Sequence, residues 1–247
     1  MSLKFLIFLP KTLHFMVNIV ITPSKIFKIN FYLIIGLLVL HCLTLRDYYL
    51  VENLIYASPL TKFFNFDLEY NLPSLYSTIA LIFSSFLCFN LSLFSACLRA
   101  DKFYWRFLSF SFMFLAFDEF KGIHERLNIH VYSFFKSIGV HSFIQFGAWT
   151  YVYFFISILL FIGLLPFLAK LDQQIRLLLF LSFFLFLLGA VGFEFLAFQV
   201  LKIWKHDFFY LIMMTLEELL EMIAVLVFNY TLLRLLSKRM KVTFTSS

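Results

Sequence analysis

Acidic side chains occur where an apolar chain has least use for them. The apolar run from Phe107 closes on Phe117-Asp118-Glu119-Phe120-Lys121-Gly122-Ile123-His124-Glu125-Arg126. Two later apolar runs repeat the anomaly, one with Glu194 and the other with Glu217, Glu218 and Glu221. A bare carboxylate in hydrocarbon is costly, so a proton, a basic side chain or a bound cation must neutralise it. Against seven such acids these segments offer only Lys121 and Arg126. Several of the acids therefore hold protons or bind a cation. Hard oxygen ligands with one imidazole suit a divalent metal such as Mg²⁺, Ca²⁺, Mn²⁺ or Zn²⁺, or a non-haem iron pair. The expected ligands are Asp118, His124, Glu125, Glu194, Glu218 and Glu221, with His124 either a ligand or a proton carrier. Glu119, Glu217 and Lys121 are expected around them; Asp67 and Glu69 fall in a preceding outer loop, which reads as a plain loop or as a cover for the mouth of the cluster.

Other chemistries lack their signatures. The Glu-x-x-His spacing of helical di-iron sites is absent, since His124 is five residues after Glu119. No HExxH, GxSxG, phosphate-loop or glycine-rich nucleotide pattern occurs. Cys42, Cys88 and Cys97 have no paired spacing and read as small buried hydrophobes. His130, His141 and His206 fall on connections and read as interfacial histidines.

The elements that must position these acids are membrane helices. The chain is 62% hydrophobic, 21% aromatic and 14% charged, with 38 phenylalanines among 247 residues. Soluble domains carry about 25% charged residues, so a polytopic membrane protein is expected. Six spans are predicted: 30–45, 74–98, 105–127, 146–169, 177–200 and 208–236. Residues 1–28 read as an interfacial segment, 29–237 as the transmembrane bundle and 238–247 as a basic cytoplasmic tail. Of the 20 basic residues, 13 fall on the side of the N-terminus. The positive-inside rule then places both termini inside. The net charge of +6 is spread over membrane-flanking segments, which fits lipid headgroups and excludes a nucleic-acid groove.

At about 1.5 Å per residue, Asp118 lies ~17 Å above Phe107 and Glu194 ~26 Å above Leu177, and Glu217 to Glu221 ~14–20 Å below the outer surface. All the acids then fall between the midplane and the outer boundary. On a continuous third span, Asp118 and Glu125 share a face two turns apart, and Lys121 between them can bridge both. Gly189-Ala190-Val191-Gly192 ahead of Glu194 is a small-residue patch that admits a neighbouring helix.

The succession Asp67-Leu-Glu69-Tyr-Asn71-Leu-Pro73, Phe117-Asp118-Glu119 with Ile123-His124-Glu125, Gly192-Phe-Glu194 and Glu217-Glu218-Leu-Leu-Glu221-Met222 resembles a group of uncharacterised bacterial multi-pass membrane proteins. In that group the third-helix pattern reads Ser-Leu-Asp-Glu; here Ala116-Phe117 precede the acids. The resemblance covers about residues 65–230 and implies the same site residues without an activity. The expected fold is an all-α bundle with a carboxylate–histidine cation site in its outer half. The expected function is cation binding at this intramembrane site, with a metal-dependent enzyme on a lipid-soluble substrate as one form of it; a cation or proton-coupled carrier and a structural subunit with protonated acids are the alternatives.

Overall fold

The structure, a computed structural model, describes residues 3–4, 20–51, 58–93, 99–139, 147–204 and 207–245. It is helical apart from a two-residue antiparallel pairing of Leu3–Lys4 with Val20–Ile21. The helices are α1 (Pro23–Val51), α2 (Pro59–Phe64), α3 (Leu72–Leu93), α4 (Arg99–Lys121), α5 (Ile123–Ser137) and α6 (Ala148–Leu168). They are followed by α7 (Gln173–Leu187), a π-helical turn (Leu188–Phe193), α8 (Glu194–Trp204) and α9 (Asp207–Thr245). Most of the expected interfacial segment 1–28 lies outside the described residues, and α1 already begins at Pro23.

Among the described residues four helical stretches are long and apolar enough to cross a membrane: Pro23–Leu45, Leu72–Leu93, Ala148–Leu168 and Gln173–Phe198. Their outward faces carry large apolar side chains such as Tyr32, Phe86, Phe155 and Phe184, all exposed. That is the surface lipid requires and water would penalise. α9 is packed on all sides instead, against α1, α3, α7, α8 and the π turn. Its buried residues Ala224, Val225, Leu226, Phe228, Leu232, Leu233, Leu235 and Leu236 leave no single polar face, which marks a central helix. Ser84 Oγ donates to Asn229 Oδ1 at 2.8 Å and Asn229 Nδ2 donates to the Ala80 carbonyl at 3.1 Å, tying α3 to α9.

The third predicted span is corrected. It does not run unbroken to Leu127, because Gly122 adopts φ +56° and splits it into α4 and α5. A left-handed residue interrupts the helical ladder, and glycine adopts it without a Cβ clash. Asp118 and Glu125 therefore lie on different helices, and the two-turn shared face does not exist. α5 buries none of its residues, in keeping with a surface helix following the third span.

The expected close approach at the small-residue patch is present. A Cβ at Gly189 would lie 2.9 Å from the Glu217 carbonyl oxygen and 3.0 Å from Glu221 Cγ. The extra residue of the π turn and the missing side chain together let this rod touch α9 beside its acids. Gly189→Ala is accordingly expected to lose about 1–3 kcal/mol, the cost of an overpacked contact, read as a lower unfolding midpoint in detergent. An unchanged midpoint would mean that α9 shifts freely at this point.

Candidate functional site

The acids gather at the end of the bundle where α3 begins and α4 ends. Residues 65–71 bring Asp67 and Glu69 across this end, and local polar contacts shape the crossing. Asn65 Oδ1 accepts the Asp67 N–H at 3.1 Å, and Asn71 Oδ1 accepts the Ser74 N–H at 3.1 Å while Ser74 Oγ accepts the Asn71 N–H at 3.1 Å. The second pair is a reciprocal cap on α3, the device that satisfies the orphan donors of a first turn. Tyr70 turns the chain with φ +58°, and its hydroxyl donates to the Lys121 carbonyl at 3.3 Å.

On the opposite side, Asp118 organises the start of α5. Gly122 has no side chain to cap that helix, and Asp118 Oδ1 accepts the His124 N–H at 2.9 Å instead. Asp118 Oδ2 faces His124 Nδ1 at 3.5 Å and accepts the Tyr153 hydroxyl at 3.2 Å. The imidazole is thus held from behind, with Trp149 at 4.8 Å between ring centroids and Nε2 turned to Glu69 Oε1 at 4.0 Å. A carboxylate behind a histidine whose other nitrogen faces a carboxylate is the arrangement that orients metal-binding imidazoles.

A cavity of about 250 Å³ opens between these groups. Asp67, Glu69, Glu119, His124, Glu125, Glu194, Glu217 and Glu218 line it, with Phe66, Trp149, Phe198, Tyr210 and Met214 as its apolar wall. Glu69, His124 and Glu125 each present a ligand atom within 4.8 Å of the other two, so this triad could hold a metal ion. Ligands opposite one another at about 2.4 Å from a cation span that distance. A second observation lies beside it: Glu217 is 94% buried, its carboxyl shares a hydrogen bond with Glu194, and its Oε2 has no partner of its own. A carboxylate oxygen left bare at such depth is the kind of group a cation or proton satisfies.

Residues 32–236 match a domain of unknown function, DUF8692. The chain belongs to the DUF8692 family. The matched stretch runs from α1 through most of α9 and holds every residue that lines the cavity. No curated protein and no solved structure matches the chain.

Within the DUF8692 domain the electrostatics of the loop and of α5 follow from enclosure. Burial raises Asp67 to about 6, against a lowering hydrogen bond from Tyr210, and the Glu125 charge adds to the rise. Burial also raises Glu69 to about 7, opposed by His124 and reinforced by Glu125 and Asp118. For His124, burial alone would lower the value. The hydrogen bond and charge of Asp118, joined by Glu69 and Glu119, outweigh burial and lift it to about 9. At neutral pH His124 is then itself a positive charge among the acids.

The predicted residues sort into three positions. Glu125, His124, Glu194, Glu218, Glu119 and Glu217 meet around the cavity, together with Asp67 and Glu69. Among the described residues only Glu69, His124 and Glu125 converge to ligand spacing, so Glu69 is a central group where only an outer-loop residue was expected. Asp118 stands behind His124, and Glu221 packs against the Gly189 position; neither lines the cavity. Lys121 is corrected: among the described residues it pairs with no acid, and it is exposed with its Nζ 5.2 Å over the Phe120 ring. His141 and His206 lie outside the described residues, and His130 is exposed on α5. Sequence reasoning did not single out His41, Trp149, Tyr153, Tyr210 or Thr215. Only His41 carried a signal, as an imidazole within an apolar span.

Proposed function

We propose that this chain is an integral membrane protein of about six spans that holds a divalent cation between Glu69, His124 and Glu125. α4 and α9 supply the two spans whose acids lower their hydropathy, and both termini face the cytoplasm of a bacterial cell. The convergence of two carboxylates and an imidazole at ligand spacing carries the reading. The bare Glu217 oxygen beside it supports the same conclusion. A bound cation would supply Lewis-acid polarisation, and this chain's residues would orient His124 through Asp118 and keep spare carboxyls at Glu217 and Glu218 for proton transfer. The cavity exceeds by an order of magnitude the about 10–15 Å³ that one water requires. It therefore has room for part of a lipid-soluble substrate beside the ion, against Trp149, Phe198 and Met214.

His124 at about 9 favours a second reading, in which the imidazolium is the only cation and the acids are structural. Elemental analysis and Mn²⁺ titration of the full chain in detergent separate the two. Near one equivalent of bound divalent metal is expected; less than a tenth of an equivalent, with no Mn²⁺ binding, removes the proposal. Binding must displace the His124 proton, so affinity is expected to climb as pH rises from about 6, where Asp67 and Glu69 still hold protons, to about 9. Proton release measured in weakly buffered solution checks the sign, and binding that strengthens on acidification contradicts it.

A further inference from the structure

A histidine that the proposed cation site does not touch is fully buried in a membrane-length helix. His41 lies within the Pro23–Leu45 span and has 0% exposure. Its Nδ1 accepts the Phe66 backbone N–H at 3.2 Å, its Nε2 meets Thr215 Oγ1 at 2.9 Å, and its ring stacks on Phe66 at 4.5 Å between centroids. Thr215 donates its one hydroxyl hydrogen to the Leu211 carbonyl at 2.7 Å. Towards His41 it can then only accept, which puts the ring hydrogen on Nε2 and leaves Nδ1 bare. A bare Nδ1 is what the Phe66 N–H needs. The Phe64 carbonyl also lies beside the ring, but an imidazole with its hydrogen on Nε2 has nothing to donate there.

The three tied elements are the ones that must agree for the acids to meet. Phe66 immediately precedes Asp67 and lies three residues before Glu69. Thr215 lies two and three residues before Glu217 and Glu218 on α9. We propose that His41 is a positioning residue for the cavity: a neutral imidazole that clamps residues 66–69 to the acid-bearing turn of α9. Its effect on cation affinity rests on the cation reading above; the clamp itself does not. Without the Nδ1 contact, a buried backbone N–H loses its acceptor, and the crossing keeps Asn65 and Asn71 at its ends, the Tyr70 hydroxyl on the Lys121 carbonyl and the Tyr210 hydroxyl on Asp67.

Two substitutions divide the ring between them. Asparagine places an acceptor where Nδ1 was, and glutamine places a donor where Nε2 was. Hydrogen exchange and Mn²⁺ binding are measured on the full chain in detergent. His41→Gln is expected to speed exchange in residues 66–70 about tenfold, the scale of one lost hydrogen bond. The same variant is expected to weaken Mn²⁺ about 10-fold or more, as loss of an orienting partner does. His41→Asn is expected to restore both towards wild type. Equal protection in His41→Gln and wild type overturns the clamp, as does an equal loss in both variants. If His41→Gln does not yield monodisperse protein, Thr215→Val reads the same link from α9. It removes the acceptor that fixes the ring hydrogen and is expected to loosen residues 66–70; unchanged protection there also overturns the clamp. Exchange that divides as expected in a protein that binds no Mn²⁺ upholds the clamp and removes the cation reading alone.

Discussion

Glu69→Gln is expected to weaken divalent-cation binding about 100-fold at pH 7 while leaving the unfolding midpoint near wild type. The substitution keeps the side-chain volume and removes one of the two carboxylates in the only group that converges to ligand spacing among the described residues. Two effects oppose each other. A unit charge contact at about 4 Å and an effective dielectric near 20 is worth ~4 kcal/mol. Against this, removing Glu69 eases the release of the His124 proton. With His124 at about 9, that release costs about 2.7 kcal/mol at pH 7, and Asp118 and Glu119 also contribute to it. The relief is a fraction of the smaller quantity, so the loss wins. Glu221→Gln is the matched comparison, since Glu221 does not line the cavity and should stay within about threefold. Mn²⁺ titration decides: affinities for Glu69→Gln and Glu221→Gln that cannot be told apart would remove Glu69 from the ligand set.

Asp118→Ala should be the most destabilising single change at this end of the bundle, about 3–5 kcal/mol. One buried carboxylate serves the His124 N–H, the His124 ring and the Tyr153 hydroxyl. Removing it takes this acceptor from all three and removes the side-chain cap at the start of α5. Asp118→Asn should lose less, because an amide oxygen can still accept the His124 N–H. The pH profile separates the ion pair from the cap. His124 is raised from 6.5 to about 9, so its pairing stabilises the fold fully below pH 6.5 and that part fades as pH rises through about 9. Wild-type unfolding midpoints should therefore decline on the alkaline side, and Asp118→Ala should show a flatter profile. Parallel profiles would mean that His124 is not charged in the folded protein.

Which parts of this were legible in advance depends on the range of the interactions involved. Apolar runs of membrane length are written in local composition, and lipid rewards them wherever they occur, so spans over α1, α3, α6 and the α7–α8 rod could be read directly. The acids stood out for the same reason, because any carboxylate in such a run is anomalous. Gly189 could be read as a point of contact, since a small-residue patch has one use between membrane helices. What could not be read was which acid meets which. Gly122 in the left-handed region, with Asp118 reaching six residues ahead to cap α5, broke the periodic face that would have joined Asp118 to Glu125. Glu69 entered the triad because His41, Asn65 and Asn71 fold residues 65–71 over the bundle, through contacts as far as 174 residues apart in the chain. Solvation of each segment determines that carboxylates must be neutralised. Only the tertiary packing of α1, α3, α4 and α9 decides which of them share a cavity, because proximity between distant residues leaves no periodic trace in any one of them.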